Sequence, residues 1–404
     1  MKSKIFKCAS AALLSILTLL LTVFGAADYF TPTRQSYYVG EKPQNTALVS
    51  LTPKEESITV SSVSSYIKTQ KMTAKLFGVL PIKEVNVDYY DKCTLYVGGF
   101  PFGVKFYTEG IMVVELTDVE TDKGKLNPAY NAGIRTSDII TKCDGKKLSD
   151  AEELTAIIEG SGGKELTLTY MRNGAEYNAT VFPVLSAEDR TYKTGMWIRD
   201  CGAGIGTVTY INPSDNSFGG LGHGICDSKT GDIIPMEKGT VMSVVLNGIN
   251  KGIAGEPGEL KGCFGGRKLG NVVGNTSCGV FGIYSERPSE ATDIYPIGLK
   301  SELKDGKATL LCTLDDEGRK EYEIEISSIN RNASEDSNKC FTVKVTDPAL
   351  VGKSGGIIQG MSGSPIIQNG KLVGAITHVM INDPTVGYGI FIENMLSNTP
   401  EILK

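Results

Sequence analysis

Two stretches of this chain set a reactive side chain among glycines. Gly360-Met361-Ser362-Gly363-Ser364-Pro365 lies between two apolar runs. Glycines flanking this segment allow a tight turn that lifts the Ser362 hydroxyl out of the backbone. The N–H groups of Gly360 and Ser362 can then converge on one point and stabilise an oxyanion. The second stretch is Gly219-Gly220-Leu221-Gly222-His223-Gly224-Ile225. A histidine ringed by glycines has room to reach a hydroxyl, which is what a general base needs. A carboxylate that fixes the imidazole tautomer would complete the set. Asp347, Asp227 and Asp383 are the candidates. Asp347 ends the alternating run FTVKVT, 15 residues before Ser362. Asp227 follows His223 closely, and Asp383 sits in the turn Asn382-Asp383-Pro384. His378, the other histidine, falls on the apolar run KLVGAITHV and is expected to pack or hydrogen-bond there.

Composition excludes several other chemistries. The chain has 404 residues, room for two or three domains at ~150 residues each. Hydrophobic residues are 41% and charged residues 22%, which fits a folded globular protein. Forty-seven glycines and one tryptophan point to a turn-rich, mainly β chain. The net charge is −5 and no block of five basic residues occurs, so a nucleic-acid partner has no electrostatic support. With two histidines, no HExxH and no CxxC, the sequence argues against a zinc hydrolase or zinc ribbon, and we expect no metal or cofactor. The nine cysteines are irregularly spaced, and no bridge is assigned.

Lys2, Lys4 and Lys7 precede the apolar run of residues 8–27, the pattern of an export signal or a membrane anchor. Lysines on the amino side put the remainder outside the cytoplasm. Residues 28–72 are polar, with Pro32, Pro43, Pro53 and the stretch SITVSSVSSY, and read as a spacer. An entry strand follows over residues 73–90. Residues 91–186 read as a small α+β unit. It contains a strand–loop–strand at CTLYVGGFPFGVKF and a short helix opened by Asn127-Pro128. A capping box at Ser149–Glu152 starts a helix that stops at Gly160, and an Asn173-Gly174 hairpin closes the unit. Residues 196–404 show recurrent alternating runs between Gly, Asp, Asn and Pro turns, the signature of a β-barrel or sandwich.

The order of elements in residues 91–186, with NPAYNAGIRTSDIITKCDGKKL, resembles a PDZ domain of the bacterial exported-protease type. The resemblance implies that the loop Gly98, Gly99, Phe100, Pro101, Phe102, Gly103 receives a peptide's terminal carboxylate. Val104–Phe106 would pair with that peptide, and the capped helix would form the groove's far wall. The Ser362 stretch resembles the G-x-S-G-x-P nucleophile motif of trypsin-like peptidases. Taken together, FGGLGHGICD and VTDPALVGKSGGIIQGMSGSPIIQNGKLVGAITHVMINDPTVGYGIFIENML resemble the SpoIVB serine peptidase family of sporulation. That resemblance carries the catalytic histidine onto His223, the aspartate onto Asp347 and the nucleophile onto Ser362. It implies an exported endopeptidase between the two membranes around a developing spore. Such an enzyme would cleave the extracytoplasmic part of a membrane-bound regulator, and itself near the amino terminus. That cut would release an intramembrane protease that processes a late sigma factor. Asp347 lies nearer its serine than the aspartate of trypsin-like enzymes does, so their two-barrel topology does not follow from the motif. The competing reading is a PDZ scaffold with a degenerate peptidase-like body. An α/β-hydrolase is disfavoured, because the strand–turn–helix elbow is missing.

Overall fold

The computed structural model describes residues 2–54, 67–227 and 230–403. Helix α1 (Lys2–Phe30) opens the chain, and its Leu13–Phe30 stretch is long and apolar enough to cross a membrane. Strands β1 (Arg34–Tyr38), β2 (Val49–Pro53), β3 (Ile67–Leu76) and β4 (Leu80–Tyr90) form a sheet in the order β1-β4-β3-β2. This corrects the reading of residues 28–72 as a spacer. Met72 is buried with Ala74 of its own strand and Val85 and Val87 of β4, and Tyr37, Val49 and Leu51 pack against them, so a polar segment still supplies part of one apolar face. The stretch SITVSSVSSY falls on residues 57–66, outside the described residues. The sheet docks on the rest of the chain through Tyr38, whose hydroxyl donates to the Ile297 carbonyl at 2.7 Å, and through an ion pair between Arg34 and Glu335.

β5 (Thr94–Val97) and the long β6 (Pro101–Leu116) follow, then β7 (Val119–Thr121) and β8 (Gly124–Leu126). Helix α2 (Pro128–Asn131) is capped as expected, with the Asn127 side chain accepting the Tyr130 N–H. After β9 (Ile139–Cys143) and β10 (Lys146–Lys147), helix α3 (Ala151–Gly160) starts one residue later than the sequence reading. Asp150 accepts the Glu153 N–H while the Glu153 carboxylate reaches back to the Ser149 N–H. α3 buries Leu154 and Ile158 against β9, β11 (Leu166–Arg172) and β12 (Ala175–Val181). β13 (Val184–Leu185) and β14 (Tyr192–Lys193) lead into β15 (Met196–Ile211).

β16 (Ser217–Gly220), β17 (Met236–Asn250), β18 (Glu259–Thr276) and β19 (Gly279–Tyr284) complete a ring. Its order is β6-β17-β18-β19-β16-β15, and pairing of β15 with β6 closes it. Phe102, Val104, Phe218 and Val280 fill this first barrel. β20 (Ile294–Pro296) pairs with β5 at its side. The second barrel is closed in the order β21-β22-β23-β26-β25-β24. Its strands are β21 (Gly306–Thr313), β22 (Arg319–Ser327), β23 (Phe341–Val345), β24 (Pro365–Gln368), β25 (Lys371–Met380) and β26 (Asp383–Phe391). Helix α4 (Pro348–Ser354) links β23 to the Ser362 turn; α5 (Ile392–Ser397) and the 3₁₀ turn Glu401–Leu403 end the described chain. Leu310, Ile324, Val343, Ile376 and Ile390 form the second core.

The folded amino-terminal sheet is open to test. Proteolysis within a paired strand requires local opening. Limited trypsin digestion of the native chain should therefore spare Lys68, Lys71, Lys75 and Lys83 relative to the urea-unfolded chain. Cleavage there at the unfolded rate would restore the spacer.

Candidate active site

Ser362 and His223 come from different barrels and meet at one segment. His223 follows β16 of the first barrel, and Ser362 lies in the turn before β24 of the second. The Ser362 hydroxyl donates to the Thr377 carbonyl at 2.8 Å. The next residue, His378, lies against His223 with ring centroids 4.9 Å apart. A β-bulge between Ile376 and His378 turns the His378 ring to this side of β25. The backbone of Leu221 and Gly222 packs close to Gly363, Thr377 and Ile376.

The serine turn is held by β15. Thr207 donates its N–H to the Ser362 carbonyl at 3.0 Å and its hydroxyl to the Gly360 carbonyl at 2.7 Å. Thr209 donates its hydroxyl to the Gly363 carbonyl at 2.7 Å. Gly363 has φ +94, and a Cβ there would lie 2.1 Å from the Thr207 carbonyl oxygen. Met361, Gly363 and Ser364 spend their N–H groups on Ile358, Ile376 and Met361. The N–H groups of Gly360 and Ser362 have no acceptor among the described residues, as an oxyanion hole requires.

His223 is half-buried, and its Nδ1 lies 2.8 Å from the Gly224 carbonyl oxygen. A carbonyl only accepts, so Nδ1 carries the proton and Nε2 keeps its lone pair for use as a base. Burial holds the His223 pKa below its ordinary 6.5, partly offset by the Gly224 carbonyl. His378 is pushed down to about 4, by burial first and then by facing His223 and Lys339. Its Nδ1 is buried with no partner among the described residues.

Of the three candidate carboxylates, only Asp227 lines the cavity that holds His223 and His378. Asp347 caps α4, accepting the Ala349 N–H at 2.8 Å and the Glu323 N–H at 3.2 Å. Thr342 of β23 is level with Tyr388, which pairs opposite His378. Asp347 lies five residues further along, past the end of β23 at Val345. Asp383 closes its own turn on the Thr385 N–H and hydroxyl. His378 reaches the site through a bulge that its place in an apolar strand does not announce.

The carboxylate loop is corrected as well. The Gly98 and Gly99 N–H groups are spent on the Thr209 and Val208 carbonyls. Phe100, Pro101, Phe102 and Gly103 enter the first barrel, where Phe102 is fully buried. Val104–Phe106 pairs with β15 on one side and β17 on the other, so no edge is left for a peptide.

Beside His223 lies a cavity of about 620 Å³. Val104, Phe106, Ile205, Leu221 and Ile225 give it apolar walls.

With this geometry described, comparisons place the chain among known proteins. The family model for the SpoIVB peptidase S55 domain matches residues 190–396, and a PDZ domain model matches residues 104–182. A protein named as a zinc metalloprotease in Neisseria meningitidis is 35% identical over 74 residues, which is 18% of this chain. One so named in Lactococcus lactis is 36% identical over 77 residues, 19% of this chain. The chain spans only 17% of the length of each of these curated relatives. Among solved structures, the PDZ domain of an SdrC-like protein from Listeria monocytogenes is similar at 21% identity and TM-score 0.18. It covers 22% of this chain and 87% of its own. The HtrA-type protease AlgW with a decapeptide is similar at 12% identity and TM-score 0.29, covering 60% of this chain and 65% of its own.

Three substitutions check this geometry. Gly363→Ala should displace the serine turn from β15 and cut kcat/KM at least ~100-fold, since ångström misplacements cost that much. Ser364→Ala removes a buried hydroxyl that has no partner among the described residues, so activity should stay within about twofold. Asp347→Asn keeps a capping side chain and should leave turnover near wild type, with an unchanged melting curve. A loss of 10³-fold there, the scale for an orienting aspartate, would return Asp347 to the imidazole.

Proposed function

We propose that this chain, which belongs to the SpoIVB peptidase S55 family, is an exported serine endopeptidase with Ser362 as nucleophile and His223 as base. One observation carries this reading. Side chains from two barrels converge on the Ile376–His378 segment, beside two backbone N–H groups without acceptors among the described residues. In the proposed reaction, Ser362 rotates about χ1 from the Thr377 carbonyl toward His223 Nε2. His223 takes the hydroxyl proton as Ser362 Oγ bonds to the scissile carbonyl carbon. The Gly360 and Ser362 N–H groups receive the negative oxygen. The imidazolium returns its proton to the leaving amine, and water repeats the sequence on the acyl-enzyme. The Gly224 carbonyl takes the tautomer-fixing part that sequence reasoning gave to Asp347. The apolar cavity suits an apolar substrate side chain next to the scissile bond.

Family membership supports a finer proposal: the substrate is the extracytoplasmic part of a membrane-bound regulator, and the chain also cleaves itself. The cut would lead to release of an intramembrane protease and processing of a late sigma factor. Helix α1 would serve as export signal or membrane anchor, placing the body between the mother-cell and forespore membranes. The scaffold reading draws on a different observation, that the Ser362 proton points to Thr377 and not to His223.

A fluorophosphonate probe separates the two readings. Labelling of Ser362 in the folded chain, lost on denaturation, is the mark of an activated serine; no labelling above the denatured background favours the scaffold. His223→Ala should lose as much proteolysis as Ser362→Ala, because base and nucleophile act as one unit.

pH dependence has a definite sign. The folded-state pKa of His223 lies below 6.5, so the base stays neutral to lower pH than a solvated imidazole. The acidic limb of kcat/KM should fall off as pH drops, with its midpoint below 6.5. A midpoint at or above 6.5 would mean that the imidazole is solvated in the working enzyme.

A further inference from the structure

The amino-terminal sheet ends in an apolar tip. β3 and β4 are joined through Phe77, Gly78 and Val79, and the Val79 N–H closes the turn on the Leu76 carbonyl at 3.1 Å. Phe77, Val79 and Leu80 are all more than half exposed, Val79 at 82%. Leu48, also exposed, lies beside them, its carbonyl accepting the Phe77 N–H at 2.7 Å. Phe77 and Gly78 have φ +53 and +75. Two successive positive φ values in a hairpin turn ask for Asn-Gly or Asp-Gly. Three other hairpins of this chain follow that rule, at Asp144-Gly145, Asn173-Gly174 and Asn369-Gly370. Between β3 and β4 a phenylalanine stands instead, with a strained backbone and a ring turned to water.

The tip lies at the end of the sheet where α1 enters. β1 starts at Arg34, soon after α1 ends at Phe30, and runs parallel to β4 with Arg34 level with Asn86. Lys83 reaches the last turn of α1, bonding the Asp28 carbonyl and pairing with its carboxylate at 3.3 Å. From Lys83 the strand runs back three more residues to Leu80, ~10 Å further from the body. Leu13–Phe30 is long and apolar enough to cross a bilayer, and hardly any of it is buried in the fold. Tyr29 and Phe30, both exposed, put aromatic rings where such a helix meets the headgroups. Lys75 and Lys83 bracket the tip, and no acid stands between them in the sequence. The acids that follow the tip and end the helix, Glu84 and Asp28, are paired with Lys54 and Lys83. Exposed apolar side chains flanked by lysine suit the interface of a bilayer.

We propose that the Phe77–Leu80 tip inserts into the interface of the bilayer that α1 enters, giving the folded body a second hold on lipid. A single helix leaves the body free to pivot about its exit; a second contact beside it fixes the tilt. The sheet passes that tilt on, because Tyr38 and Arg34 tie it to Ile297 and Glu335. The odd turn then has a physical reason. Its positive φ costs stability in water, and the phenylalanine ring offsets that cost by leaving water for acyl chains. This goes beyond the endopeptidase reading and needs no catalysis, so a Ser362→Ala chain shows it equally.

Trp197 is the single tryptophan of the chain, so Trp197→Phe leaves a silent background. The full-length Ser362→Ala, Trp197→Phe chain receives Phe77→Trp or Val79→Trp and is reconstituted in nanodiscs of phosphatidylcholine with phosphatidylglycerol. Two positions cover the case in which one disturbs the turn. Brominated lipid quenches a neighbouring indole. Both tryptophans should emit at shorter wavelength than an indole in water. Both should lose more emission to lipid brominated high on its acyl chains than to lipid brominated near their ends. Trp197 itself, exposed on the body of the Ser362→Ala chain, should lose none. Phe77→Asn with Leu80→Thr gives the turn the residue pair used elsewhere in the chain and removes two apolar groups. Quenching at Val79→Trp should then fall at least about twofold, since interfacial binding scales with buried apolar area. Water-like emission at both positions, quenching of Trp197 equal to that at the tip, or quenching at Val79→Trp that survives the polar pair would each overturn the proposal.

Discussion

Three hydrogen bonds from one strand hold the nucleophile. Thr207 and Thr209 of β15 bond the carbonyls of Ser362, Gly360 and Gly363, the turn on which the second barrel presents its serine. These bonds cross from one barrel to the other, so serine and histidine share a frame only while the barrels stay docked. The fit leaves no room for adjustment. Gly363 sits where a Cβ would meet the Thr207 oxygen, and its positive φ excludes most other residues in any case. The same bonds occupy carbonyls and use neither the Gly360 nor the Ser362 N–H group.

The imidazole is set up differently from one backed by a carboxylate. The Gly224 carbonyl fixes the tautomer as well as a carboxylate would, but it carries no net charge to stabilise the imidazolium. Burial disfavours a cation here. The resting imidazole is therefore held neutral, and Asp227 is the candidate carboxylate that shares its cavity. A low resting pKa keeps the base competent in mild acid, at the cost of a weaker proton acceptor.

Ser362 and His223 were legible because glycine settings are local, and so were the α2 cap and the helix under Gly160. What escaped the sequence depends on long-range pairing. The run CTLYVGGFPFGVKF reads as strand–loop–strand whichever neighbours it acquires, and only the pairing of β6 with β15 and β17 reveals a barrel wall instead of a peptide groove. The same closure makes a two-barrel body, which the spacing of Asp347 and Ser362 did not allow to be assumed. At Asp347 an Asp-Pro step reads equally as a triad member's setting and as a helix cap, and the cap is what the structure displays. Residues 28–72 misled because sparse apolar residues at a period of two still suffice for a small sheet that docks on a larger body.

β15 also joins two regions that the sequence separates into domains. Its first residues flank α3, its middle residues Ala203–Gly206 line the cavity beside His223, and Thr207 holds the Ser362 carbonyl. Sixteen residues of one strand thus touch the helix, the cavity and the nucleophile in turn. Two of its inner residues are committed here: Asp200 to α3, Thr207 to the serine turn. One strand thus bonds both the helix of the PDZ-matched unit and the turn that carries Ser362, so the two regions share a structural element that the domain boundaries of the sequence reading separate.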